Sequence, residues 1–276
     1  MRVDLHLHTN ASDGQYSPAE LVELARKFDV IAITDHDTTD GIAEAQRTAK
    51  GYGSPLVIPG IELSAEDDEG DVHVLGYYVD IENSDFQNTL RSFRTNRYHR
   101  GQQMLEKLAA LNLPLAWERV IAIADGGAIG RPHIARAMVE AGYVESVKDA
   151  FNRYIGNDGP AYVSRTRISP EQSVELIHSA GGAAVLAHPG TLKDYRAILR
   201  RLIAVGLDGV EVIHPSNSEA VRLDLRGIAT TNNLIMTGGS DFHGPKVKPN
   251  VALGMVTPPE GAVDALKRAA QRYAAG

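Results

Sequence analysis

The 276-residue chain has no cysteine. That excludes a disulfide framework and a thiolate zinc site, so any metal must rest on His, Asp, Glu or backbone oxygen. Long hydrophobic runs are also missing. None approaches the roughly 20 residues of a membrane span, and no signal-peptide pattern opens the chain, so the cytoplasm is the expected compartment. A basic excess is missing too: 28 Lys and Arg face 35 Asp and Glu, a net charge of −7. This balance argues against a general grip on duplex nucleic acid but leaves room for a local basic pocket. No Gly-x-Ser-x-Gly run, repeat or low-complexity tract occurs. The chain that remains is long enough for one large domain, or one domain with an insertion.

Strands and helices alternate at first. Arg2 to His6 reads as a strand. Ser17-Pro18-Ala19-Glu20 is a capping box with proline at the first helical position. Val30 to Thr34 is a continuous apolar run, as in a buried parallel strand. A helix from Asp40 to Lys50 follows, then strands at Leu56–Leu63 and Val72–Val79. From Ser84 to Tyr154 the period becomes helical, with a capping box at Ser84 opening a long helix to Leu111. Shorter helices are expected at Ala116–Ala124, Pro132–Ala141 and Val147–Tyr154. Alternation returns at Ser169-Pro170-Glu171-Gln172, with Gly181-Gly182 as the C-cap, and with strands at Ala183–Ala187, Asp208–Ile213 and Leu234–Thr237. Seven apolar strands interleaved with helices favour an α/β barrel over an open sheet. The expected layout is a barrel of residues 1–83 and 161–276 carrying a helical insertion of residues 84–160.

Chemistry collects at the strand ends. His6 and His8 share one strand face, because strand side chains repeat every two residues. Asp13 lies in the next loop. His36 follows the second strand, Glu62 lies near the end of the third, and His73 is on the fourth. His188 follows the fifth, and Asp241 and His243 follow the last. In a parallel barrel the C-terminal strand ends converge on one mouth. Nine buried imidazoles and carboxylates in one place would be costly without cations. Isolated histidines read differently. His99, His178 and His214 are each expected to be structural, with His214 a weak candidate for substrate contact because it too follows a strand.

The motifs Asp4-Leu5-His6-Leu7-His8-Thr9, Thr34-Asp35-His36-Asp37, Gly60-Ile61-Glu62, Ala187-His188-Pro189 and Gly239-Ser240-Asp241-Phe242-His243 resemble the PHP superfamily, the polymerase and histidinol phosphatase family. The resemblance implies a distorted (β/α)7 barrel and three divalent cations. His6, His8, Glu62 and Asp241 would hold the first. Glu62, His73 and His188 would hold the second. Asp13, His36 and His243 would hold the third. Manganese is the first expectation, with zinc or iron also suited to this donor set. The insertion, with Gly130-Arg131-Pro132-His133 inside it, is similar to a subgroup that removes the 3′-phosphate of 3′,5′-bisphosphonucleosides and trims short RNA from its 5′ end.

These readings imply in-line attack on phosphorus by hydroxide generated at the cations, with no phosphoenzyme. Asp37 and His243 are the candidates for protonating the leaving oxygen. Along the long helix Arg91, Arg94, Arg97 and Arg100 recur every three residues. Arg91 and Arg94 read as a solvated face, and Arg97 and Arg100 as phosphate contacts. Arg131 at a helix start is a third phosphate candidate, with His133 one turn further in. The expected partner is a small nucleotide, with short single-stranded RNA as the alternative, and neither duplex nor membrane. Histidinol phosphate hydrolysis and a metal- or nucleotide-binding module without catalysis are the rivals. A C–N-cleaving amidohydrolase fits less well, because Glu62 stands where such sites often carry a modified lysine.

Overall fold

The computed structural model describes residues 1–67, 70–125, 129–164 and 168–274, and the side chain of Arg94 lies outside that set. Seven strands form one sheet in sequence order: β1 Val3–Asp4, β2 Val30–Ile33, β3 Leu56–Asp67, β4 Gly70–Tyr77, β5 Ala183–Leu186, β6 Gly209–Ile213 and β7 Ile235–Gly238. The sheet curls until its two edges meet. Just beyond β1 and β7, Leu7 bridges Phe242 in parallel, Asp241 N donates to His6 O at 2.9 Å, and His8 N donates to Phe242 O at 3.0 Å. The fold is a distorted seven-stranded α/β barrel, as the strand count led one to expect.

One element corrects the parallel picture. β4 runs antiparallel to both neighbours. β3 overruns the barrel rim to Asp67, and β4 returns from Gly70, where φ is +125°, with His73 opposite Ser64. An antiparallel strand presents its beginning at the mouth where the others present their ends, so His73 still arrives among the ligands.

Helices cover the barrel: α1 Pro18–Leu24, α2 Ile42–Tyr52, α7 Pro170–Ser179, α8 Tyr195–Ala204, α9 Glu219–Asn232 and α10 Ala262–Ala270. Between β4 and α7 run α3 Ser84–Ala110, α4 Trp117–Ala124, α5 Arg131–Glu140, α6 Val147–Ala150 and a π-helical turn, Phe151–Ile155. This helical stretch has an apolar cluster of its own, with Met104, Leu108, Val120, Ile134 and Met138 at its centre. The barrel strands bury theirs against α1 and α2, α7 to α9, and α10.

The capping boxes at Ser17 and Ser169 are present, each with proline in the first turn. Gly181 ends α7 at φ +71°, where an L side chain would be strained. The box expected at Ser84 is displaced by one residue. Asn83 Oδ1 accepts from Phe86 N at 3.0 Å and is the true cap, and its Nδ2 donates to Ser179 O at 3.1 Å, tying α3 to α7. The helix expected over Val147–Tyr154 breaks after Ala150 into the π turn. Among the described residues no helix is long and apolar enough to cross a membrane.

Candidate metal centre

Glu62 lies at the centre of the barrel mouth. Its Oε2 is 3.2 Å from His6 Nε2, 3.1 Å from His8 Nε2 and 3.2 Å from His36 Nδ1. Its Oε1 is 2.9 Å from both His73 Nδ1 and His188 Nε2. Asp241 Oδ1 faces His6, His8 and His243 at 3.6, 3.4 and 3.3 Å. Asp13 Oδ1 faces His243 Nε2 at 3.2 Å and His8 Nδ1 at 3.7 Å. All nine expected positions therefore stand in one connected cluster. Ligand atoms lie within 4.8 Å of one another in four groups: His8, Asp13, His36 and His243; His6, His8 and Asp241; His36, Glu62 and His73; and His6, Glu211 and His214.

The donor set fits divalent cations on three observations. It offers imidazole nitrogen and carboxylate oxygen only, which suits manganese, zinc or iron. Both ring nitrogens of buried His8 lack a hydrogen-bond partner despite the carboxylates around them. Third, other groups already orient several rings, as at metal-ligating histidines generally. His6 Nδ1 meets Glu211 Oε1 at 3.1 Å, leaving Nε2 toward Glu62. His243 Nδ1 donates to Asp241 O at 2.9 Å, leaving the Nε2 lone pair toward Asp13. His188 Nδ1 meets Thr191 Oγ1 at 3.2 Å.

Burial opposes charge on Glu62, but His36, His6 and His73 outweigh it and hold the carboxyl well below its ordinary range. Burial likewise opposes a proton on His6, yet Glu211, Glu62 and Asp241 raise its pKa well above the usual value.

Several contributors gave little sequence signal. Glu211 sits fully buried in β6, bonding His6 through Oε1 and accepting from His188 N through Oε2 at 2.8 Å. A carboxylate inside the apolar run Gly209-Val210-Glu211-Val212-Ile213 was the available clue, since charges are rarely buried unpaired. Asp4 accepts from Ser240 N, Ser240 Oγ and Gly254 N, fixing the loop that carries Asp241. Asp35 accepts from Thr9 N, Thr9 Oγ1 and Ser12 Oγ, fixing the loop between His8 and Asp13. Burial pushes both carboxyls up to about 6. Lys248 Nζ holds Asp241 Oδ2 at 2.6 Å. His214, set aside as an isolated histidine, lies buried at the mouth with Nε2 3.5 Å from Asp241 Oδ2.

Two cavities adjoin the cluster and share the wall His36, Asp71 and His73. The larger, about 440 Å³, also exposes Glu62, His188, His214 and Asp241. The smaller, about 140 Å³, is bounded by Asp13, Arg97, Gly130 and Arg131. Arg97 pairs with Asp37 and donates to Ser64 Oγ at 2.9 Å. Asp37 Oδ1 accepts from Ser64 N at 2.8 Å. Arg131 pairs with Asp71 and donates to Asn157 Oδ1 at 2.7 Å, its guanidinium lying over Phe151 and Tyr162. Arg100 does not line the smaller cavity. Its Nε donates to Val163 O, and it borders a pocket of about 20 Å³ beside Arg97. His133 is buried, and its Nδ1 accepts from Gly130 N at 3.0 Å. Arg91 is exposed, as is His99, and His178 pairs with Asp208 away from the mouth.

The family model for the PHP domain matches residues 4–159. Relatives similar over most of the chain include the 5′-3′ exoribonuclease Rnm of Salmonella typhimurium, 37% identical over 249 residues, which are 88% of this chain and 85% of the relative. A 3′,5′-nucleoside bisphosphate phosphatase of Chromobacterium violaceum is 35% identical over 250 residues, 88% of this chain and 87% of the relative. A solved structure from Bifidobacterium adolescentis, described as a metal-dependent phosphoesterase, superposes with a TM-score of 0.88 at 36% identity, covering 96% of this chain and 94% of that one. Sequence motifs, barrel and ligand cluster agree across nearly the whole length, and the chain belongs to the PHP domain family.

Proposed function

We propose that the protein is a metal-dependent phosphoesterase that removes the 3′-phosphate from 3′,5′-bisphosphonucleosides. The observation that supports this best is the pair of adjoining cavities, one floored by metal-competent groups and one walled by arginine. A bisphosphorylated substrate needs both: a reactive phosphate over the ligand cluster and a second anion held at fixed distance. The 5′-phosphate is assigned to Arg97 and Arg131, at the N-terminal end of α5, where helix and guanidinium both favour an anion. Their bonds to Asp37, Ser64, Asp71 and Asn157 hold the forks in place before substrate arrives. Residues 84–160 serve as the substrate-binding cap over the barrel of 1–83 and 161–276.

His6, His8, Glu62 and Asp241 would hold one cation, Glu62, His73 and His188 a second, and Asp13, His36 and His243 a third. When bound, such cations lower the pKa of water and offset phosphate charge. The protein's own groups do the positioning. Glu211 fixes the ring of His6, and Asp4 and Asp35 fix the loops that carry the ligands. Lys248 and His214 face Asp241 Oδ2, and Oδ1 is turned to His6, His8 and His243. Asp37 and His243 have tasks other than protonating the leaving oxygen. Both Asp37 oxygens are engaged by Arg97 and Ser64 N, and the proton of His243 is directed to Asp241 O.

A second reading, 5′→3′ removal of nucleotides from short single-stranded RNA, is favoured by the size of the larger cavity, which lies in the range of ligand-binding clefts. The test is phosphate release by manganese-loaded protein from adenosine 3′,5′-bisphosphate, AMP and histidinol phosphate. Preference for the bisphosphate by tenfold or more is expected. Fastest turnover of histidinol phosphate would overturn the assignment.

A further inference from the structure

A bisphosphonucleoside uses the ligand cluster and the arginine cavity. It leaves unused the part of the larger cavity away from the ligands, formed by Leu192, Lys193, Ile198 and Ser216. That part of the wall has no carboxylate, in a protein whose net charge is −7. Lys193 is exposed, and among the described residues its ammonium makes no ion pair or hydrogen bond. His214 lines the same cavity. Ser216 N donates to His214 Nδ1 at 3.0 Å, and a backbone N–H can donate only to an unprotonated ring nitrogen. His214 Nε2 faces Asp241 Oδ2 at 3.5 Å, so the ring serves the ligand cluster and leaves Lys193 as the cation on this wall.

The chemistry of the proposed reaction says what this wall could meet. Water attacks phosphorus, the bond from phosphorus to the ribose 3′-oxygen breaks, the hydroxyl stays on phosphorus and the proton ends on the 3′-oxygen. If the phosphate carries no further substituent, the product is inorganic phosphate. If it carries another nucleotide, the products are a 5′-mononucleotide and a chain one residue shorter that bears a new 5′-phosphate. The bond broken is the same, and only the substituent on the phosphate differs. With the 5′-phosphate assigned to the arginines, that substituent is assigned to the larger cavity, whose lining includes Lys193.

We infer that Lys193 forms an anion subsite for the nucleotide on the 3′ side of the reacting phosphate and sets the preference between oligonucleotide and bisphosphonucleoside. This rests on the phosphoesterase reading above and deepens it. Lysine suits the role as a point charge that tolerates any base.

The experiment compares kcat and KM of the manganese-loaded protein on adenosine 3′,5′-bisphosphate and on a 5′-phosphorylated adenosine trinucleotide. Lys193→Ala is expected to lower the ratio of kcat/KM, trinucleotide over bisphosphate, tenfold or more, mainly through KM. Lys193→Glu should lower it further, and Lys193→Arg should restore it. The salt dependence of trinucleotide KM should also weaken in Lys193→Ala, by a slope of about 0.7 for one lost phosphate contact on a single strand. An unchanged ratio, or a parallel loss on both substrates, overturns the inference. Wild-type protein that hydrolyses the bisphosphate but not the trinucleotide overturns it as well, leaving the phosphatase reading intact. Failure on both substrates overturns that reading and this one together.

Discussion

At the scale of single residues, the groups that set the chemistry are the ones that hold the ligands. Glu211 is the clearest. It joins His6 and the His188 backbone, so Glu211→Gln places an amide NH2 against one of two existing donors. The loss is expected to weaken metal affinity about 10- to 100-fold, as for other partners of ligating histidines. Metal titration followed by calorimetry measures this, and unchanged affinity would remove Glu211 from the site. His133 gives a pH-dependent prediction. Burial lowers its pKa from 6.5 to about 4, with Arg136 and Arg97 adding to the effect and Asp13 opposing it. A depressed folded-state pKa contributes stability above pH 6.5 that is lost as pH falls toward 4. His133→Asn keeps an acceptor for Gly130 N but cannot titrate. Wild type should thus lose up to about 3 kcal/mol relative to the variant across that window, at 1.36 kcal/mol per unit. Parallel urea-unfolding midpoints for the two proteins from pH 7 to 4 would contradict this.

At the scale of elements, small local choices decide what the site contains. The cap of α3 is Asn83, so Asn83→Ala should cost about 1 kcal/mol or more, and Ser84→Ala should stay within about 0.5 kcal/mol. Thermal unfolding of the two variants distinguishes them, and the reverse order would return the cap to Ser84. Why the sequence pointed to Ser84 is plain: Ser84 to Gln87 has the spacing of a capping box, whereas the hydrogen bond of Asn83 to Ser179 O is a long-range contact that the local pattern does not show. The hairpin of β3 and β4 was legible in principle. The strands as read, ending at Leu63 and resuming at Val72, leave eight residues between them, and a parallel crossover needs a dozen or more. The apolar pattern by itself carries no strand direction. The ligand motifs were legible because each lies beside its own strand. The partners of Glu211 and His214 come from other strands, so the local signals, a carboxylate inside an apolar run and a histidine after a strand, did not say what they meet. Strain marks the site as well: His188 and Asp241 have positive φ, 29° and 57°, which only the fold could reveal.

Over the whole molecule, the ligand cluster lies on the seam that closes the barrel. His6 and His8 extend β1, Asp241 and His243 extend β7, and the backbone joins these edges through His8 N to Phe242 O and Asp241 N to His6 O. Cations held by these side chains would cross-link the first and last strands, adding to the bonds that Asp4 accepts from Ser240 and Gly254. A ligand at 100 times its dissociation constant adds about 2.7 kcal/mol to folding stability. For a chain of this size that corresponds to about 5–10 °C in Tm, at roughly 2–4 °C per kcal/mol. Chelation should therefore lower Tm by that order while leaving the protein folded, because carboxylates and protonated imidazoles can neutralise one another in the metal-free state. Amide exchange should rise most in residues 6–8 and 240–243 and little in β2 and β3, whose ladder does not depend on the seam. Asp13→Ala, which removes a ligand expected on only one cation, should abolish turnover and lose only part of the metal-dependent rise in Tm. An equal Tm with and without chelator, together with uniform exchange, would show that no cation bridges the seam, and would leave the barrel closed by the backbone bonds and by Asp4.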